Sequence, residues 1–200
     1  MTPTRLLANL FGAILFAVSL GGCGTTQPSK FFLLNPMAAP DAPTSSRTPE
    51  LRLGVGPIDL PEYLNRAQIV TRTANTELRL ADNQRWAEPL QENFARVLGE
   101  NLSGLLATGQ VYVFPWRPAQ RIDYQVSVNV ARFEGDATGT VSLVAHWDIR
   151  RGREKTLLSS RRSVISVPVQ NSTDYESLVA ASSAALAQLS REIAAAIKPS

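Results

Sequence analysis

From residue 122 to residue 130 the chain alternates without a break. Ile122, Tyr124, Val126, Val128 and Val130 are apolar, while Asp123, Gln125, Ser127 and Asn129 between them are polar. A period of two sends successive side chains to opposite sides of a strand, so this segment must have one dry and one wet face. The pattern returns at 140–150, where Val141, Leu143, Ala145, Trp147 and Ile149 form the apolar row, and the sequence predicts a third long strand over 156–167. The first of the three is expected to span 122–133, and the turn-forming stretches EGDATG and RGREK join them in succession. Strict alternation in consecutive strands marks an antiparallel meander covered on one side only.

The cover is legible where the period changes to that of a helix. Trp86, Leu90, Phe94, Val97, Leu98, Leu102 and Leu105 share a face and predict a helix over 88–106, with Pro89 in its first turn and Gly109 beyond its end. Thr173-Asp174-Tyr175-Glu176 reads as a capping box, and behind it Tyr175, Leu178, Val179, Ser182, Leu186, Leu189, Ile193 and Ile197 repeat at helical spacing. Lys198 suits the negative end of that helix and Pro199 stops it. Shorter strands are expected at 30–34, 51–58, 68–72 and 76–80, with a turn at Ala74-Asn75 and a lead-in strand over 110–116. Residues 35–50, with Pro36, Pro40, Pro43 and Pro49, read as an exposed loop. Two amphipathic helices on one face of a mainly antiparallel sheet make an α+β, two-layer sandwich.

The amino-terminal segment is of another kind. Arg5, an apolar run over 6–20, and Gly21-Gly22 have the order of an export signal, so 1–22 is expected to be removed. Cys23 follows directly and is the sole cysteine of the 200 residues. Leu20-Gly21-Gly22-Cys23 resembles the lipobox of bacterial lipoproteins. That resemblance implies cleavage before Cys23, a diacylglycerol thioether on its sulfur, and an acyl chain such as palmitate on the new amino terminus. A thiolate is the side-chain nucleophile suited to that bond, and several chains at about 0.8 kcal/mol per buried methylene anchor firmly. Gly24 stands where aspartate would retain such a lipoprotein in the inner membrane, so the expectation is the periplasmic face of the outer membrane. Residues 23–29 then form a short lipidated tether and 30–200 a single domain.

The net charge of +3 comes with no long basic run, which argues against nucleic acid as a partner. His146 is the sole histidine. With Asp148 and Ser142 on its own strand face a charge relay is conceivable, but same-face neighbours sit about 6.5–7 Å apart, beyond hydrogen-bond reach. No catalytic set, metal site or cofactor is expected, and no HxxxH or CxxC spacing occurs for zinc. Gly54-Val55-Gly56 lacks the third glycine and the following helix of a phosphate cradle. Arg150, Arg151, Arg153 and Lys155 gather at one hairpin tip, read as a solvated turn or as a contact for anionic groups.

LPEYLNRAQIVTR at 60–72 and RWAEPL at 85–90 resemble the signature of the ABC-type transport auxiliary lipoproteins, most of all the lipoprotein components of paraquat-inducible transport systems. FEGDATGTVSLVAHW, with Phe133, Gly135, Gly139, Val141 and Trp147, is similar to that group's hairpin, and TDYESLV to its last helix start. Two departures stand out: the family often has aspartate where Asn65 stands and proline where Ala67 stands, which implies a less rigid loop here. The resemblance implies a non-catalytic accessory of an MCE-domain intermembrane system that moves lipids or other apolar molecules and bears on membrane integrity. The implied partner is the MCE-domain tunnel protein, and a homo-oligomeric ring would match its symmetry. Pro61, Tyr63, Leu64, Asn65 and Arg66 are the candidate partner-binding residues. By their own chemistry these residues suit either a partner-facing surface or a loop whose Tyr63 and Leu64 tuck into the core. Two other functions remain open: a structural envelope lipoprotein that binds peptidoglycan or an outer-membrane protein, and a periplasmic hydrolase.

Overall fold

The computed structural model describes residues 27–38, 51–74, 76–117, 119–152, 155–171 and 174–197. The expected signal segment, Cys23 and the first part of its tether, most of the proline-rich loop, Asn75, Arg153, Thr173, Lys198 and Pro199 lie outside the described residues.

The described chain is α+β, with eight strands in one open sheet and two helices. The strands are β1 Lys30–Phe32, β2 Arg52–Asp59, β3 Gln68–Arg72, β4 Leu78–Trp86, β5 Gln110–Val113, β6 Tyr124–Asp136, β7 Thr140–Arg151 and β8 Thr156–Pro168. The helices are α1 Leu90–Leu105 and α2 Tyr175–Ala196. The predicted meander is β6–β7–β8, paired antiparallel from Tyr124↔Arg151 to Gly135↔Val141 and from Thr140↔Pro168 to Arg151↔Thr156. β3 and β4 form a further antiparallel hairpin.

The sheet also carries parallel pairs that alternation alone does not reveal. β2 and β3 lie along the same edge of β6, β2 beside Tyr124–Asn129 and β3 beside Gly135 and Asp136. β5 runs parallel to the outer side of β2, and β1 parallel to the outer side of β4. β2 and β3 together act as one long strand interrupted by an excursion over residues 60–67. Inside β2, Gly56–Pro57 is a cis peptide, and the register shifts between Val55 and Ile58. Gly56 has φ +121°, and a Cβ there would stand 2.6 Å from Cβ of Phe114, so only glycine fits.

Both helices lie on the dry face. Leu53, Val55, Val126, Leu143, Ala145 and Ile149 are fully buried against Phe94, Val97, Leu98, Leu102, Leu186, Leu189 and Ile193. Phe94 meets Phe133 edge to face, with centroids 5.5 Å apart. Trp86, counted in the helical row ahead of the helix expected over 88–106, is the last residue of β4, and α1 begins at Leu90 after Pro89. The side chain of Asp174 caps α2, accepting from the backbone N–H of Glu176 and Ser177.

The segment after β1 straps the helix layer. Leu34 N–H donates to Oδ1 of Asn93 at 2.7 Å, Asn35 N–H to Oγ of Ser183 at 3.1 Å, and Met37 N–H to Oδ1 of Asn101 at 2.8 Å. Asn93 and Asn101 are buried on the same side of α1, two turns apart, and Asn101 also donates to Oγ of Ser190. Their polarity inside a helix layer is thereby accounted for, because each satisfies a backbone donor of the strap.

Candidate functional site

The candidate residues lie on the excursion between β2 and β3. A single 3-10 turn, Glu62–Leu64, forms there, with Leu64 N–H donating to the Pro61 carbonyl and Asn65 N–H to the Glu62 carbonyl. The return is pinned by Trp86 N–H on the Ala67 carbonyl at 2.7 Å. Leu64 is 3% exposed and belongs to the core. Tyr63 is half-buried, Pro61 is partly exposed, and Asn65, Arg66 and Ala67 are exposed. The structure therefore brings Leu64 and Tyr63 inward and leaves Pro61, Asn65 and Arg66 to meet anything outside.

Beneath Tyr63 lies a group that the motif reading did not single out. The Glu134 side chain is wholly buried, and its Oε2 accepts from the Tyr63 hydroxyl at 2.8 Å and from Phe133 N–H at 3.1 Å. Its Oε1 accepts from Nε of Arg72 at 2.8 Å and Nε of Arg132 at 3.0 Å. Two guanidinium groups and two further donors compensate the buried carboxylate. Burial pushes the Tyr63 hydroxyl up to about 12, and its hydrogen bond to Glu134 adds to the rise. The hydrogen bond that Arg72 donates to Glu134 raises the Arg72 guanidinium as well. The cluster joins the loop, β3 and β6 into one unit, so the excursion is fixed at its centre with alanine at position 67.

A shallow cleft of about 320 Å³ opens beside the loop, lined by Asn65, Arg66, Ala67, Trp86, Glu88 and Pro89. Its acid is engaged: Glu88 accepts from Arg96 at 2.7 Å and from Asn93 at 2.7 Å. On the wet face, His146 is exposed between Asn129 of β6 and Arg162 of β8. Asp148 pairs with Arg150 at 3.6 Å rather than reaching the histidine. A relay from Asp148 through His146 to Ser142 has no geometric basis on this strand. Among the described residues, no group of three or more His, Cys, Asp or Glu side chains is placed to hold a metal ion. No described helix is long and apolar enough to cross a membrane.

What this region presents outward is the loop, fixed from below by Glu134, and the exposed polar residues of the sheet beside it. The profile of the ABC-type transport auxiliary lipoprotein component family matches residues 32–194, from β1 to the last turn of α2. The chain belongs to that family. Among its relatives are the intermembrane transport lipoproteins PqiC of Escherichia coli and of Shigella flexneri. Each is 26% identical over 187 residues, which cover 91% of this chain and 94% of the relative. The fold is shared with the crystal structure of an uncharacterized protein, at a TM-score of 0.70 and 23% identity, covering 86% of this chain and all of that one. A protein from Xanthomonas campestris superposes at a TM-score of 0.66 and 18% identity, covering 82% and 92% of the two chains. Members of this family are transport auxiliary lipoproteins, and the chain is an accessory transport lipoprotein by that membership.

Proposed function

We propose that the protein is anchored to the outer membrane through a lipidated Cys23 and works on the periplasmic side as a non-catalytic accessory of an MCE-type intermembrane transport system. Its task is to dock the periplasmic tunnel component at the membrane that holds the anchor. The observation that carries this reading is the family match across the whole described domain, together with relatives named as intermembrane transport lipoproteins. The lipobox at Leu20–Cys23 supports the anchor, and Gly24 supports outer-membrane sorting. Of the loop, Pro61, Asn65 and Arg66 remain available for contact, with Tyr63 and Leu64 holding them in place from beneath.

The tether from Gly24 to Ser29 extends at most about 20 Å, so the domain stays near its membrane and receives a partner that spans the gap. A ring of copies would match a tunnel with rotational symmetry. The reading is tested by separating inner and outer membranes from cells making the wild-type chain or Cys23→Ala. The wild type is expected in the outer-membrane fraction and the variant is expected to be lost from that fraction. A variant still firmly bound to the outer membrane would place the anchor elsewhere.

A further inference from the structure

β1 runs parallel to β4, from Lys30 beside Gln84 to Phe32 beside Trp86, so the tether enters from the end of the sheet that carries the β3–β4 and β6–β7 turns. Lys30 lies close enough to the start of α2 to help hold the Asp174 carboxyl below its usual range, behind the larger effect of the Ser177 and Glu176 N–H groups. The opposite end of the sheet lies about 30 Å away along β6, from the level of Arg132 to that of Asp123.

That remote end is basic. Arg52, Arg117 and Arg121 line a cleft of about 410 Å³ with Gln110, Tyr112 and Gln120. Gly152 N–H donates to the Asp123 carbonyl at 2.9 Å, which draws the β7–β8 hairpin alongside and adds Arg150, Arg151 and Lys155. Against these cations stand Asp123 and Asp148 among the described residues of this end. Each is already engaged, Asp123 by Nε of Arg52 at 3.0 Å and Asp148 by Arg150.

The same end exposes aromatic surface. The loop after β5 folds back over β2, where Trp116 and Ile122 press on Gly54. Phe114 stands against Trp116 edge to face, centroids 5.3 Å apart, and remains 51% exposed beside Val113 at 40%. An aromatic patch rimmed by arginine has the composition of a protein-docking centre.

We propose that this tether-remote end docks an acidic surface of the tunnel protein, with Phe114 and Trp116 making the apolar contact and Arg117 and Arg121 the charged one. The proposal rests on the function proposed above. It favours a protein over lipid headgroups because the anchor holds the other end of the domain to the membrane.

The test uses the full lipidated chain in detergent and the purified MCE-domain protein of the same system, with dissociation constants measured at low and at moderate salt. Arg117→Glu with Arg121→Glu is expected to weaken binding by about tenfold or more at low salt and to flatten the salt dependence. Phe114→Ser should weaken binding at both salt concentrations, and Arg79→Glu near the tether end should leave it unchanged. Circular dichroism confirms that each variant is folded. A folded double variant that binds as the wild type does would overturn the choice of surface alone. Vesicles containing phosphatidylglycerol provide the other arm: binding by the wild type that is lost in the double variant, with unchanged affinity for the MCE-domain protein, would assign this end to headgroups instead. A wild-type chain with no affinity for the MCE-domain protein would overturn the functional reading itself.

Discussion

Glu134 sits in a stretch that reads as a turn, EGDATG, yet its side chain is among the most buried polar groups described. The reason is a register shift between Val130 and Arg132 of β6. Before it, even-numbered residues face the helices; after it, Phe133 does, and Arg132 and Glu134 turn to the other face beneath the excursion. Strict alternation, extended past Val130, assigns Glu134 to the wrong side, so the cluster was not legible from pattern alone. Tyr63 and Leu64 were legible as an apolar pair, but which way they point depends on a carboxylate that is 71 residues distant from Tyr63. Glu134→Ala removes the acceptor that Arg72, Arg132 and the Tyr63 hydroxyl share, and chemical denaturation should show a loss of about 3–5 kcal/mol. Because the folded-state pKa of Tyr63 is raised, its contribution to stability is fully present below pH 10 and is lost as pH climbs toward about 12. The melting temperature of the wild type should therefore fall more steeply than that of Tyr63→Phe over this window; parallel curves would contradict the assignment. His146→Ala should leave envelope phenotypes unchanged, and a total loss of function in a folded variant would revive a hydrolase.

At the scale of elements, the meander and both helices follow directly from periodicity, because each has one face against the core. The parallel placement of β1, β2, β3 and β5 does not, since it is fixed by long-range packing rather than by their short sequences. The strap across α1 had a signal in the sequence: Asn93 and Asn101 interrupt an apolar face at a spacing of two turns. What they bind is not encoded locally. Asn93→Ala and Asn101→Ala each leave a backbone N–H without its acceptor and should cost about 1–3 kcal/mol. Hydrogen exchange at Leu34 and Met37, respectively, should accelerate in the two variants. The carboxylates that fasten element ends contribute stability that depends on pH. Burial pushes Asp123 and Asp136 up, but Arg52 on the first and the Thr138 and Thr140 donors on the second outweigh it, and the backbone donors of α2 lower Asp174. All three are lower in the folded state, so their stabilisation is present above about pH 4 and lost as pH falls through the folded values. Asp174→Ala should lower the denaturation midpoint at neutral pH and reduce its acid sensitivity.

The whole molecule has a polarity that neither a motif nor a single element shows. The tether enters at one end of the sheet, and arginine and exposed aromatic surface collect at the other. Sequence alone shows the arginines of the RGREK turn but not their meeting with Arg52, Arg117 and Arg121, which are brought together by the pairing of β2 with β5 and β6. Under the proposed function, a domain so oriented would hold a tunnel tip against the membrane that carries the anchor. The mass of the complex between the lipidated chain and its MCE-domain protein, measured by light scattering after purification in detergent, tests this most directly. Several copies of the chain on one tunnel assembly are the predicted result. A strictly monomeric chain that forms no complex with that protein would contradict it.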